Sequence, residues 1–492
     1  MPARALISVI FIIFSAIFCS GHHSSVKTDT LVSVLSKRIP KLIEKYDGAG
    51  LSIALIEKGQ MSWSGGFGYA DKNGEKRASA QSVYQAASIS KPVTAWAIMK
   101  LVEEGLVDLD TPVSEYLSSW QLPESEFNND SVTVRRLLSH SAGLSLGGFP
   151  GFPPGYGLPA LPDALSGSNS SRQGVYVKKE PGLEFDYSGG GYMLLSLIVE
   201  ELTEQTFEAY IDEAVLSPLG MESSTYCQDE NIPGLAKPYT RDGRELPNYI
   251  FSGKGAAGLL TTVEDLAKLV SNLTDNNGLV SGQQVLSKNS IQKMIKPLIS
   301  TKGDIALFYD SMALGYFIDK TGMVSHTGSN MGWRSFFGIY PNTGDGIVIL
   351  SNSDSGRNIY IDIIRQWSEL CEYPEIRMVK FFKRVFLYSL LIAFILLGSS
   401  LYLVVSLIQQ IRKNKRRFVT GPDLLRINFW ILAILKLFVP CLLGYLWITA
   451  FSYLLADLSP LTFKWLTAGI ILFPVIMTLK ILFPRINTSC NE

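Results

Sequence analysis

The sequence predicts an α+β fold: an antiparallel sheet flanked by helices, with an all-helical insertion, followed by a three-helix transmembrane region. Three observations point there. Strand-like runs lie near both ends of the first 375 residues, at 51–69 and 314–351, and helical patterns fill the middle. One sheet built from both chain ends, with the helices inserted between them, is the economical arrangement. Farther on, segments at about 386–407, 432–454 and 466–482 are each long and apolar enough to span a bilayer. The 44 basic and 44 acidic residues cancel, so nothing in the charge balance calls for a nucleic-acid partner.

Residues 5–18 form an apolar run behind Arg4 and end at small residues, which reads as a signal peptide over 1–21. Residues 22–375 are then an extracytoplasmic domain, and 376–492 a membrane domain. The loop Ile411-Arg412-Lys413-Asn414-Lys415-Arg416-Arg417 is strongly basic and the one around Asp457 is acidic. Positive-inside logic places the basic loop in the cytoplasm and residues 22–375 outside, on a multi-pass cell-membrane protein in contact with lipid. Of five cysteines, Cys19 belongs to the signal, Cys441 to a span and Cys490 to the cytoplasmic side, so only Cys227 and Cys371 could pair outside, and the sequence leaves their pairing open.

Within the domain, residues 29–46 place Leu31, Leu35, Ile39 and Leu42 at helical spacing, ended by Asp47-Gly48. Leu51–Glu57 and Met61–Tyr69 flank Lys58-Gly59-Gln60 as a hairpin. Next comes Ser88-Ile89-Ser90-Lys91 at the head of an apolar helix. Asp108–Pro112 reads as a turn with Pro112 at a new helix start, and Val132–Leu138 suggests a short helix closed by Ser139-His140-Ser141-Ala142-Gly143. Residues 144–174 are rich in Gly, Pro and Ser and read as a long surface loop. Helices follow at Tyr192–Thr203 and near Phe207–Val215, with Gly189–Gly191 read as a turn before them. Thr262 and Asp265 form a capping box with Asp in place of Glu. Strand patterns return at Leu314–Asp319, Met323–His326, Ser335–Tyr340 and Ile347–Ser351, and an amphipathic helix, Ile359–Leu370, leads to the membrane.

Ser88 and Lys91 are the candidate nucleophile and base. A helical i,i+3 spacing puts them on one face, a serine hydroxyl needs a neighbouring base to attack, and burial makes a lysine available for that role. The same spacing at Ser24…Lys27 and Ser290…Lys293 lies in polar or amphipathic surroundings that surface chemistry explains. Two more segments matter: Tyr187 on a loop before a buried helix, and His326-Thr327-Gly328-Ser329 at a polar strand tip.

In this order and spacing, residues 30–370 resemble the serine β-lactamase and penicillin-binding-protein superfamily, within it the class C β-lactamase-like serine hydrolases. Ser88-Ile89-Ser90-Lys91 stands where that family has its nucleophile motif, Tyr187-Ser188-Gly189 where it has Tyr-x-Asn, and His326-Thr327-Gly328 where it has Lys-Thr-Gly. Thr133–Leu144 and Gly255–Leu266 also look typical. The resemblance implies two-step acyl transfer through an acyl-enzyme on Ser88, with Lys91 and Tyr187 sharing acid and base roles. It places the oxyanion between the N–H groups of Ser88 and Ser329, and assigns His326, Thr327, Gly328 and Gly189 to substrate binding. The implied substrate is a small molecule or peptide, cell-wall fragments included: a D-amino-acid peptide, an ester or a β-lactam-like amide. No cofactor or metal is implied.

Two positions depart from the pattern. Gly189 lacks the amide of the family's Asn, and His326 replaces a lysine; both bear against efficient β-lactam hydrolysis. A histidine at 326 has two possible roles, as a cation holding a substrate carboxylate or as a neutral ring bonded to Tyr187. Two other readings compete. Gly143-Leu144-Ser145-Leu146-Gly147 spells a nucleophile elbow, but lacks the strand before it and helix after it that an elbow needs. A catalytically weak pseudo-enzyme that binds penicillin or senses peptidoglycan would keep the fold and signal through the spans.

Overall fold

A computed structural model describes residues 28–148, 151–167, 174–274, 284–418 and 460–486, with a few isolated positions between 438 and 445. The proposed signal peptide and nearly all of the second apolar segment lie outside the described residues. The chain divides into two units, residues 1–377 and 378–492.

The first unit is built on one nine-stranded sheet. Helix α1 (Thr28–Lys45) buries Leu31, Leu35, Ile39 and Leu42, the stripe expected from their spacing. Strands β1 (Gly50–Glu57) and β2 (Gln60–Asp71) form the hairpin, its two-residue turn made by Lys58 and Gly59 at φ 54° and 80°. Short β3 (Lys76–Arg77) extends that edge. A further short strand, β4 (Tyr84–Gln85), pairs away from the main sheet with β5 (Leu260–Thr261).

The rest of the sheet comes from the other end of the domain: β6 (Ile299–Ser300), β7 (Ser311–Met312), β8 (Phe317–Ile318), β9 (Val324–Asn330), β10 (Trp333–Tyr340) and β11 (Asp345–Ser351). The spatial order is β3-β2-β1-β11-β10-β9-β8-β7-β6, all antiparallel, and β1 joins β11 with Ile53 opposite Ile349. The chain ends therefore do meet in one sheet. Two details differ from the sequence reading. The polar segment Thr327–Asn330 is strand rather than tip, because β10 pairs with it as far as Asn330. The short strands β6 and β7 were hidden by mixed, brief patterns.

Between the two halves of the sheet runs the helical part. Its centre is α2 (Ser90–Glu103), apolar on nearly every side, with Trp96 1% exposed and its indole N–H bonded to the Tyr316 hydroxyl at 2.8 Å. Around it lie α3 (Val134–Leu138), α4 (Leu161–Ser166), α5 (Gly189–Thr203), α6 (Phe207–Ile211) and α7 (Lys254–Ala257). Helix α8 (Val263–Ser271) packs on the sheet, and α9 (Lys288–Ile295) follows. Thr262 caps α8 by accepting the Asp265 N–H at 3.2 Å. The reciprocal half of the expected box is missing, because Asp265 instead accepts from Ser223 N–H and the Ser224 hydroxyl. Glycines 189–191 open α5 rather than making a turn; Ser188 caps it, and a Cβ at Gly190 would lie 2.6 Å from Val175 Cγ2. Helix α10 (Gly356–Leu370) closes the domain against α1 and the sheet. Cys227 and Cys371 are both free thiols.

In the second unit, α11 (Arg377–Arg412) is the one helix among the described residues long and apolar enough to cross a membrane. Its 36 residues would extend about 54 Å at 1.5 Å per residue, against a hydrocarbon core of about 30 Å. It contains the first proposed span, and α12 (Pro460–Leu482), with a shorter apolar stretch, contains the third.

Candidate active site

Ser88 sits on a 3-10 turn, Ala87–Ile89, two residues ahead of α2 rather than in its first turn. Ala87 has φ +51°, a left-handed conformation that a β-carbon disfavours, so the turn must be held from outside. It is. The Ser90 hydroxyl donates to Ala87 O at 2.7 Å and accepts the Leu259 N–H at 2.9 Å, while Ala86 N–H donates to Leu259 O at 2.9 Å. From the sheet, the Ser335 hydroxyl donates to Ala86 O at 2.7 Å. Residues 82–87, 89 and 90 are buried and Ser88 is half-buried, so the turn presents its serine outward.

Lys91 is 2% exposed, and its ammonium donates to Ser88 Oγ at 3.3 Å and to Ala256 O at 2.8 Å. The same ammonium lies 5.0 Å from the Tyr187 ring centre and 5.6 Å from that of Tyr192. Two carbonyl or hydroxyl acceptors and two aromatic faces are what a buried cation needs in place of water. Tyr187 is fixed by the cap that starts α5: the Ser188 hydroxyl donates to Ser145 O at 2.7 Å and accepts the Gly191 N–H at 3.3 Å. Gly189 has no amide to offer, and its N–H donates to Gly147 O at 3.1 Å.

The fourth side is β9. Strand β8 pairs with it only at Val324 and Ser325, so its edge from His326 to Asn330 runs uncovered by any strand among the described residues, beside the Ser88 turn. Thr327 is half-buried with Oγ1 accepting the Tyr309 hydroxyl at 3.2 Å, and Ser329 is exposed. Gly328 meets the Ser88 turn itself: a Cβ there would lie 2.2 Å from Ala86 O and 3.1 Å from Ala87 Cβ. The resemblance assigns this glycine to substrate binding; the space its missing side chain leaves is taken by the turn that carries the candidate nucleophile and by Ser335.

His326 is 1% exposed, its Nδ1 is 2.7 Å from the carbonyl of Thr327, and its ring packs 5.0 Å from that of Phe317. Burial, helped by the nearby Lys91 charge, pushes its pKa down to about 3. The imidazole is therefore neutral at neutral pH, as in the second of the two roles open to it, but it does not bond Tyr187: Nδ1 is taken by Thr327 O and Nε2 has no hydrogen-bond partner among the described residues. A second buried histidine, His140, was not singled out by motif reasoning. Its ring lies against that of Tyr187 with ring centres 4.2 Å apart and planes tilted by 36°, and burial followed by the Lys91 charge holds its pKa well below the usual 6.5.

These depressed values have a stability consequence. An unfolded histidine titrates near 6.5 and folded His326 near 3, so between those values the unfolded chain binds the extra proton. The contribution is complete above about pH 6.5 and is lost as pH falls toward 3, at up to about 1.4 kcal/mol per pH unit for one such group. Denaturant unfolding of the protein at pH 4, 5 and 7 should show this slope, and His326→Asn should make it shallower. An unchanged slope in the variant would mean that His326 is not buried as a neutral ring.

The competing serines are otherwise engaged. Ser145 is 3% exposed, donates to Gly174 O at 2.9 Å and accepts the Tyr176 N–H at 3.0 Å. Ser290 lies on α9 and bonds the carboxylate of Glu103. Beyond Ser329 the site opens into a cleft of about 320 Å³ lined by Gly151, Tyr249, Phe251, Asn330, Met331, Arg334 and Asp354. Arg334 and Asp354 pair there at 2.9 Å. Short-range patterns could not have found this lining, which gathers residues from three distant loops and the β9–β10 turn.

A family model described as Beta-lactamase matches residues 35–366. Among curated proteins, the chain is 27% identical over 343 residues to "Protein flp" of Staphylococcus aureus (strain N315), covering 65% of this chain and 63% of that one. It is 25% identical over 320 residues to "Putative penicillin-binding protein PbpX" of Bacillus subtilis (strain 168), covering 64% and 73%. The chain thus spans just under two thirds of the length of its staphylococcal relative. Among solved structures, the octameric penicillin-binding protein homologue from Pyrococcus abyssi superposes with a TM-score of 0.59 at 26% identity, over 72% of this chain and 81% of that one. D-amino acid amidase from Ochrobactrum anthropi SV3 shares the fold with a TM-score of 0.57 at 21% identity, over 69% and 99%. With a family model matching residues 35–366 and the sheet in agreement, the chain belongs to the β-lactamase family, whose fold it shares with the penicillin-binding proteins.

Proposed function

We propose that this chain is a membrane-anchored serine hydrolase that cleaves an amide or ester through an acyl-enzyme on Ser88. The observation that carries the reading is the buried ammonium of Lys91, 3.3 Å from Ser88 Oγ and facing the Tyr187 ring. With Lys91 first giving up a proton to become a free amine, Ser88 Oγ would bond to the substrate carbonyl carbon as Lys91 Nζ takes the hydroxyl proton, and the bond to the leaving amine or alcohol would break as that proton reaches it by way of Tyr187. Water would then attack the ester and return the proton to Ser88. The N–H groups of Ser88 and Ser329 are the proposed oxyanion donors.

The neutral His326 favours a substrate without a carboxylate at that point: an ester, or the amide of a D-amino acid, over a carboxylate-terminated peptide or a β-lactam. The test is turnover by the full-length protein of D-amino-acid amides, D-alanyl peptides, short-chain esters and a chromogenic β-lactam, with a fluorophosphonate probe to locate the nucleophile. Ester or amide turnover with the probe on Ser88 is expected. No turnover of any of them and no label would favour the sensing reading, and label on Ser145 the elbow. A pH profile adds a sharper check. On an ester, kcat/KM of the wild type should show no step assignable to His326 between pH 5 and 8. His326→Lys should raise the relative rate on carboxylate-bearing peptides; unchanged preference would remove residue 326 from substrate selection.

The apolar α11 and the basic 411–417 loop support a catalytic domain outside the cell membrane, held by up to three spans. Protease added to sealed, right-side-out membranes should digest residues 22–375 and spare the basic loop. Protection of the domain would reverse the orientation.

A further inference from the structure

His140 holds the residues on either side of Tyr187 as well as its ring. Its carbonyl accepts the Asp186 N–H at 2.7 Å, its Nδ1 accepts the Ser188 N–H at 3.2 Å, and its ring packs at a tilt against the phenol between them. It does so from φ +53°, a conformation uncommon for a residue with a side chain. Phe185 and Tyr192 complete its surroundings at 6.1 and 5.1 Å between ring centres.

The hydrogen bonds also assign the protons. A backbone N–H can only donate, so Nδ1 of His140 is bare and a neutral ring carries its proton on Nε2. At His326 the partner of Nδ1 is a carbonyl, which can only accept. There the proton is on Nδ1 and Nε2 is bare. Both Nε2 atoms are buried without a hydrogen-bond partner among the described residues, one a donor and the other an acceptor. The ionisable groups around the two rings are Lys91, Tyr187 and Tyr192. Asp186, next in the chain, turns its carboxylate to Lys178 and Lys179 at 2.9 and 3.2 Å.

We propose that His140 is the positioning residue for Tyr187, and that His140 and His326 are kept as neutral rings of opposite tautomer so that neither takes the proton that Lys91 and Tyr187 exchange. The part about positioning rests on the hydrolase reading above; the tautomer assignment does not.

The test has two arms. Full-length protein carrying 15N only in its four histidines is reconstituted in lipid vesicles, and its spectra are followed from pH 5 to 8. His140→Asn and His326→Asn assign the signals. The expected result is Nε2–H for His140 and Nδ1–H for His326, with neither titrating. Titration of either ring in that range, or the same tautomer in both, overturns the assignment. The second arm is kinetic. In His140→Asn the amide oxygen can stand where Nδ1 stood, and Asn tolerates positive φ. In His140→Gln the amide reaches instead toward the Nε2 end. On a short-chain ester, kcat should fall on the order of 100-fold in the Gln variant and less than about tenfold in the Asn variant, with KM within about threefold for both. Equal losses in two folded variants overturn the positioning role. If the wild type itself neither turns over an ester nor labels at Ser88, the hydrolase reading falls, and the spectra still decide the tautomers.

Discussion

Ser88→Ala is expected to remove turnover by a factor on the order of 10⁴ or more and to abolish covalent labelling, while leaving the fold intact. The expectation follows from what the hydroxyl touches. Among the described residues its one hydrogen bond is to the Lys91 ammonium at 3.3 Å, and Lys91 keeps Ala256 O at 2.8 Å when the hydroxyl is gone. The turn is held by Ser90, Leu259 and Ser335, none of which bonds the Ser88 side chain. Stability should therefore stay within about 0.5 kcal/mol of wild type, as for substitutions away from structural features. Lys91→Ala would be a poorer test, because it also leaves a buried carbonyl unpaired and a hole under two aromatic rings. Activity of Ser88→Ala within tenfold of wild type on any substrate would show that another group forms the acyl bond.

How much of this could be read without coordinates differs residue by residue. The Ser88/Lys91 pair could, because i,i+3 spacing survives a shift of the helix start by two residues. The sheet built from both ends of the domain could, because the short apolar runs of β1, β10 and β11 are a local signal. The protonation of His326 could not: it depends on Phe317 and on a burial that only the fold creates. His140 was hidden for the same reason, since its partners 186–188 lie nearly fifty residues on and its positive φ leaves no mark in composition. Gly189–Gly191 misled, because three glycines signal a turn locally. In the fold they start a helix where Val175 leaves no room for a side chain at Gly190. At Asp265 a local rule was likewise overridden, by hydrogen bonds to Ser223 and Ser224 some forty residues away.

Gly328→Ala should be the most damaging single methyl in the site. Three elements converge on that residue. Strand β9 carries it, Ser335 lies directly across on β10, and the Ala86–Ala87 end of the Ser88 turn presses on it from the side. The Ser335 hydroxyl reaches Ala86 O at 2.7 Å through the space a side chain would fill. A new Cβ would stand 2.2 Å from both of those oxygens, a distance no real contact tolerates. Either β9 backs away or the turn moves, and the turn already holds Ala87 at φ +51°. Both responses change the separation of Ser88 from Ser329, the two proposed oxyanion donors. Overpacking of this kind costs about 1–3 kcal/mol of stability, and a displacement near 1 Å at reacting groups costs on the order of 100-fold in rate. Gly157→Ala is the matched control, because nothing lies within 4 Å of its Cβ position. Unfolding free energy and the labelling rate at Ser88, measured for both variants, separate the effects: Gly328→Ala should lose both and Gly157→Ala neither. A Gly328→Ala protein that labels at the wild-type rate would mean that the contact between β9 and the turn does not set the geometry of the nucleophile.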